Sequence, residues 1–186
     1  MKSLRQDQTL VEQQRYQIRF DWGFDGAVAI GTDADVLVWV DAIATESMVL
    51  DLERVPARPG VIATSVATAA AVAAWILRLQ ERLGRRVVVA VVAAGELRES
   101  RRPRYAVEDL LNAGAVIHHL GRLGIDATSP EAAVCEAAYR DLEQAVGHLL
   151  TASVTSASST GTVDARGVDN DLGPDAVVVH RDHPDC

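Results

Sequence analysis

The sequence predicts an α/β fold, a three-layer sandwich built on a mixed, mostly parallel sheet. Three observations carry this. Two apolar runs, Val36 to Val40 and Val87 to Val92, are continuous rather than alternating, as strands covered on both faces tend to be. Stretches with helical spacing of apolar residues lie between and after them, so strand-like and helix-like segments alternate along the chain. Ala and Val dominate, and aromatic residues make up only 4%, a composition suited to small-residue packing between helices and sheet.

Residues 1–15 read as a loose polar arm and 16–186 as a single domain. Tyr16 to Phe20 alternates and reads as a short strand. Asp21 to Gly26 reads as a turn in which Gly23 and Gly26 permit sharp bends, and a short helix or loop follows to Gly31. Val36 to Val40 is a buried strand that ends at Asp41. Ser47 to Leu52 suits a short strand, Arg54 to Gly60 a loop, and Val61 to Thr64 a strand. Ser65 to Leu83 reads as a helix, because Ala69, Val72, Ile76, Leu79 and Leu83 recur at spacings of three and four; Gly84 stops it. The strand 87–92 comes next, then an arginine-rich loop from Arg98 to Arg104. A helix from Ala106 to about Leu123 is expected to bury Val107, Leu110, Leu111, Gly114 and Ile117. Ser129, Pro130 and Glu131 supply an N-cap, a first-turn proline and a first-turn acid, opening a helix that runs to about Leu150. Thr151 to Thr162 is rich in Ser and Thr, Asp164 to Asp171 is an acidic turn region, and Ala176 to His180 reads as a last strand.

The net charge of the 186 residues is −8, with no basic block, which argues against nucleic-acid binding as a primary role. The N-terminus is polar, and the longest apolar stretch, Val66 to Leu77, is too short to span a bilayer. The expected setting is therefore cytoplasmic, with no membrane partner. Cys135 and Cys186 show neither metal-ligand spacing nor a disulfide framework.

Parallel strands would bring Asp41, Glu96, Glu108 and Asp109 to one edge of the sheet. Asp41 ends one strand, Glu96 follows Gly95 at the exit of another, and Glu108 and Asp109 open a helix. Ligands of open α/β sheets bind outside the carboxyl ends of the strands. Four carboxylates gathered there repel one another unless a cation lies between them, so the simplest expectation is a Mg²⁺ site for a small anionic substrate. Each acid also has a plain structural explanation: Asp is a common turn residue, and acids at a helix N-terminus are favoured by the macrodipole alone. Arg98, Arg101 and Arg104, with Arg19, are candidates to clamp a phosphate, sulfonate or carboxylate in bidentate fashion. Asn112 shares a stripe with Glu108 and His119 that either lines a cleft, where Asn112 would touch substrate, or faces solvent.

Gly95 and Glu96, followed by Ala106 to Ile117, resemble the signature of the 2-phosphosulfolactate phosphatase (ComB-like) family. Gln17 to Gly23, Ala69 to Trp75, Ser129 to Ala132 and Arg166 to Asp171 are similar to further pieces of the family and fall in its order. The resemblance covers most of the chain in pieces, and the Glu-Asp-Leu-Leu opening of the helix is its most specific part. It implies an α/β, Mg²⁺-dependent phosphatase of phosphorylated 2-hydroxy acids such as 2-phosphosulfolactate. Asp41, Glu96, Glu108, Asp109 and Asp171 fall on acidic family positions, and metal ligands are expected among Asp41, Glu108, Asp109 and Asp171. The chain departs from the pattern after Asp41, where it reads Ala42 to Glu46, and it lacks a central section between Met48 and Val61. The competing expectation is thus a shortened, diverged relative without phosphatase activity. Such a relative would act on another sulfate or phosphate ester by elimination, or serve as one subunit of a heteromeric enzyme. A shortened domain leaves apolar surface to be covered, so a homo- or hetero-oligomer is expected.

Overall fold

A computed structural model describes residues 13–43, 48–98, 103–153 and 176–185. In chain order the elements are β1 (Ile18–Trp22), α1 (Gly23–Gly31), β2 (Val36–Val40), β3 (Gly60–Thr64), α2 (Ala69–Leu83), β4 (Val89–Ala93), β5 (Glu96–Leu97), β6 (Pro103–Arg104), α3 (Val107–Arg122), α4 (Pro130–Leu142), α5 (Val146–Thr151) and β7 (Val178–Arg181). Five strands form one sheet in the order β1-β4-β2-β3-β7, while β5 and β6 pair as a short hairpin. β1, β4, β2 and β3 are parallel, and β7 runs antiparallel along β3.

The continuous apolar runs are explained by cover on both faces. On one face Ile18, Phe20, Val38, Val89 and Val91 pack against α2, α3, α4 and α5. On the other, Leu37, Trp39, Val61, Ala90 and Val92 pack against α1 through Phe24, Ala27 and Ile30. The result is the three-layer, mostly parallel sandwich that the alternating pattern predicts. Among the described residues no helix is long and apolar enough to cross a membrane.

Several boundaries differ from the sequence reading. β1 runs two residues further, through Asp21 and Trp22, because these pair in register with Val92 and Ala93 of β4; the expected turn is instead the first turn of α1. No strand forms over residues 48–52, where Met48 packs into the α1-side core and Val49 faces outward. The helix expected from Ser65 opens as a 3₁₀ turn over Val66–Thr68, with the Thr68 hydroxyl accepting the Ser65 N–H. The helix expected to reach Leu150 tightens into a 3₁₀ turn over Glu143–Ala145, then resumes as α5, which buries Val146 and Leu150.

Gln13, assigned by its polarity to a loose arm, is buried. Its side-chain amide accepts from the Phe20 N–H and donates to the Phe20 carbonyl. β1 is an edge strand, and this amide stands in for the missing neighbour's peptide group. A second bridge joins Ile18 to Thr128: Ile18 donates to the Ala127 carbonyl and accepts from Ser129 N. The outward-facing peptide groups of Ile18 and Phe20 are thereby paired.

α3 is buried on most of its circumference, with α2 and α4 beside it and the sheet beneath. Leu111, Gly114 and Ile117 are buried as expected, whereas Leu110 is only half-buried and Val107 is 41% exposed, because the first turn faces outward on that side. Gly114 lies where α4 crosses: a Cβ there would stand 2.4 Å from the Cys135 carbonyl oxygen and 2.6 Å from the Tyr139 Cβ.

At the amino ends of the strands, Asp35 is buried and accepts two bonds from the Arg85 guanidinium and one from Val88 N–H. Burial works against its charge, but these donors outweigh it and hold the carboxyl below its ordinary value. The imidazole of His183 lies 3.6 Å from the same carboxylate, docking the chain that follows β7.

Candidate functional site

Parallel strands place their carboxyl ends together, and the sequence puts an acid or an acid-bearing loop at each of two neighbours. Asp41 follows β2, and Gly95 and Glu96 follow β4. The first turn of α3 brings Glu108 and Asp109 over the same edge, where the helix dipole favours them.

Asp109 is 2% exposed. One of its carboxylate oxygens accepts from the Ala42 N–H and the other from the Gly95 N–H, both at 2.8 Å. It therefore joins the backbone leaving β2 to the backbone leaving β4, and so fixes where Asp41 and Glu96 stand. Burial pushes its carboxyl well above the ordinary range; the charge of Asp41 adds to this, and the two amides only partly offset it.

Asp41 accepts from the Ile43 N–H. Burial, opposed by that bond and reinforced by the charges of Glu108 and Glu96, pushes its carboxyl up to about 7. Asp41 thus feels the charges of Glu108 and Glu96, and Asp109 those of Asp41 and Glu108. The cation found among them is a guanidinium. Arg104 Nε donates to Glu96 at 3.0 Å, a second nitrogen of the same group also donates to Glu96, and this nitrogen lies 3.6 Å from Glu108. The β5–β6 hairpin makes this pairing, since Glu96 stands opposite Arg104. Gly95 permits it: its φ is +68°, and a Cβ there would lie 2.9 Å from the Arg104 carbonyl oxygen. Among the described residues no three His, Cys, Asp or Glu side chains stand close enough to hold a metal ion together.

The remaining expected residues are dispersed. Arg19 is buried on the α1 side and directed away from the acids. Its guanidinium donates to the Tyr16, Ile30 and Gln14 carbonyls and pairs with Asp33. It thus serves the carboxyl end of α1, which has no basic residue in its own last turn. Arg98 is exposed. Asn112 lies inside α3 packing rather than on a solvent face, and among the described residues its Oδ1 has no hydrogen-bond partner. Arg101 and Asp171 lie outside the described residues.

The layer arrangement adds residues that the sequence reading missed. β1 and β4 are neighbours, yet β1 exits to α1 on one face and β4 leads to α3 on the other. Neighbouring strands that leave in opposite directions open a crevice, the usual ligand position in such sheets. A cavity of about 510 Å³ lies there, bordered by Asp21, Trp22, Gly23 and Gly95, by Glu96 and Arg104 from the acidic cluster, and by Arg54. Reading β1 through to Trp22 would have placed Asp21 at a strand end like Asp41. Burial raises the Asp21 carboxyl above its ordinary value, with the Trp22 N–H opposing and Glu131 and Asp25 adding to the rise. A scan of the sequence against protein-family models finds no match, and a search of curated proteins finds none either.

Proposed function

We propose that the chain is a Mg²⁺-assisted hydrolase of the ComB-like type, acting on a small phosphorylated 2-hydroxy acid at the carboxyl edge of the sheet. The observation that carries this reading is the convergence of Asp41, Glu96, Glu108 and Asp109 on neighbouring strand ends, with one guanidinium among them. The donors are all hard oxygens, the set that Mg²⁺ prefers, and the charges of Glu108 and Glu96 add to the burial that raises the Asp41 carboxyl. Asp41 and Glu108 would hold the ion, which supplies positive charge to the phosphoryl oxygens. Asp109 takes no part as a ligand in this reading, because both of its oxygens already hold backbone amides; it positions the two loops instead. Arg104 carries positive charge to the phosphoryl group beside the ion.

The test is phosphate release from 2-phospholactate and 2-phosphosulfolactate, with Mg²⁺ and with EDTA. Turnover is expected with Mg²⁺ alone, reduced by about a hundredfold or more in Asp41→Asn and Glu108→Gln. Absence of turnover on either ester by folded protein with Mg²⁺ would sink the reading. It would favour a diverged relative that eliminates sulfate or phosphate from another ester, or that works as one subunit of a larger enzyme. The Arg104 guanidinium between Glu96 and Glu108 favours that second reading, since it already supplies a cation there. Release of anion together with an unsaturated acid, insensitive to EDTA, would identify elimination.

A further inference from the structure

The cavity between β1 and β4 holds two cationic side chains with different commitments. Arg104 is held by Glu96 and Glu108. Arg54 stacks its guanidinium 3.6 Å from the centroid of the Phe24 ring, and among the described residues no carboxylate lies in ion-pair reach of it. An arginine held over an aromatic ring is positioned in advance and keeps N–H donors for another group. Beside it the wall contains Gly23, whose backbone carries no side chain, and Gly26, against which the Asp21 side chain lies. Asp21 and Asp25 border the same space and oppose the entry of a doubly charged group. This combination suits an oxyanion of single charge better than a phosphoryl dianion.

We propose that this cavity is a subsite for the acid end of the substrate: Arg54 binds a carboxylate or sulfonate, while the phosphoryl group lies toward Glu96 and Arg104. The proposal rests on the phosphoester reading above and extends it to a specificity-determining residue. The test is calorimetric titration of the full chain with Mg²⁺, using a matched pair of non-hydrolysable probes. 2-Phosphonopropionate carries a carboxylate and a phosphonate; isopropylphosphonate has a methyl group in place of the carboxylate. Wild type is expected to prefer the first. Arg54→Gln should weaken 2-phosphonopropionate by about tenfold to a hundredfold, the range of a charge-assisted hydrogen bond, and leave isopropylphosphonate unchanged. Arg54→Lys should recover part of the loss. Equal weakening of both probes, no weakening of either, or no binding of either to folded wild type would overturn the subsite. Arg54-dependent binding in a protein that releases no phosphate would overturn the phosphatase reading and leave the subsite standing.

Discussion

Replacing Asp41 with asparagine is expected to stabilise the protein at pH 8 and to leave its stability at pH 4 almost unchanged. The Asp41 carboxyl titrates at about 7 in the fold against 3.8 ordinarily. Below pH 4 the group is protonated in both states, and the substitution changes little. Between pH 4 and 7 the unfolded chain releases this proton while the folded protein retains it, so rising pH favours unfolding. Above pH 7 the loss is complete and amounts to about 4 kcal/mol for a shift of this size. Asparagine keeps an acceptor for the Ile43 N–H and carries no charge, so it escapes the loss. Denaturant unfolding of both proteins at pH 4, 6 and 8 would show the curves separating as pH rises. Parallel curves would mean that Asp41 ionises in the fold as easily as in water. A residue that weakens its own fold at working pH is what a proton-transfer or ion-binding role would select.

Gly114→Ala and Gly121→Ala are expected to have opposite signs within one helix. At Gly114 the added methyl meets the Cys135 carbonyl oxygen at 2.4 Å and the Tyr139 Cβ at 2.6 Å. Both obstacles are fixed parts of α4, so α3 and α4 must move apart, and overpacking of this kind costs about 3 kcal/mol. At Gly121 nothing lies within 4 Å. Alanine there loses less backbone entropy on folding and should stabilise the helix by about 0.5–1 kcal/mol. Thermal unfolding of the two variants beside wild type decides the matter. A mild effect at Gly114 would show that the α3–α4 crossing yields.

What could be read from the sequence was whatever depends on neighbours along the chain. The unbroken apolar runs of β2 and β4 announce strands covered on both faces. An acid at the end of such a run must emerge at the sheet edge, which is why Asp41 and Glu96 were legible. Asp109 was legible as a site residue, but its bonds to Ala42 and Gly95 were not, because they join loops 67 and 14 residues away. Arg19 misleads for the same reason. Its guanidinium answers the carbonyl end of α1 and Asp33, partners set by how the helix folds back on the sheet. Trp22 stands next to a glycine and resembles a turn residue, yet pairing with β4 keeps it in a strand. Arg54 sits in a loop whose local composition says nothing of the Phe24 ring over which it comes to rest.

The amide of Gln13 and the bridge to Thr128 bear on how copies of this chain can associate. A strand arriving from another molecule finds the β1 side already taken. To extend the sheet from that side, it would have to displace the Gln13 amide from Phe20 and the 127–129 segment from Ile18.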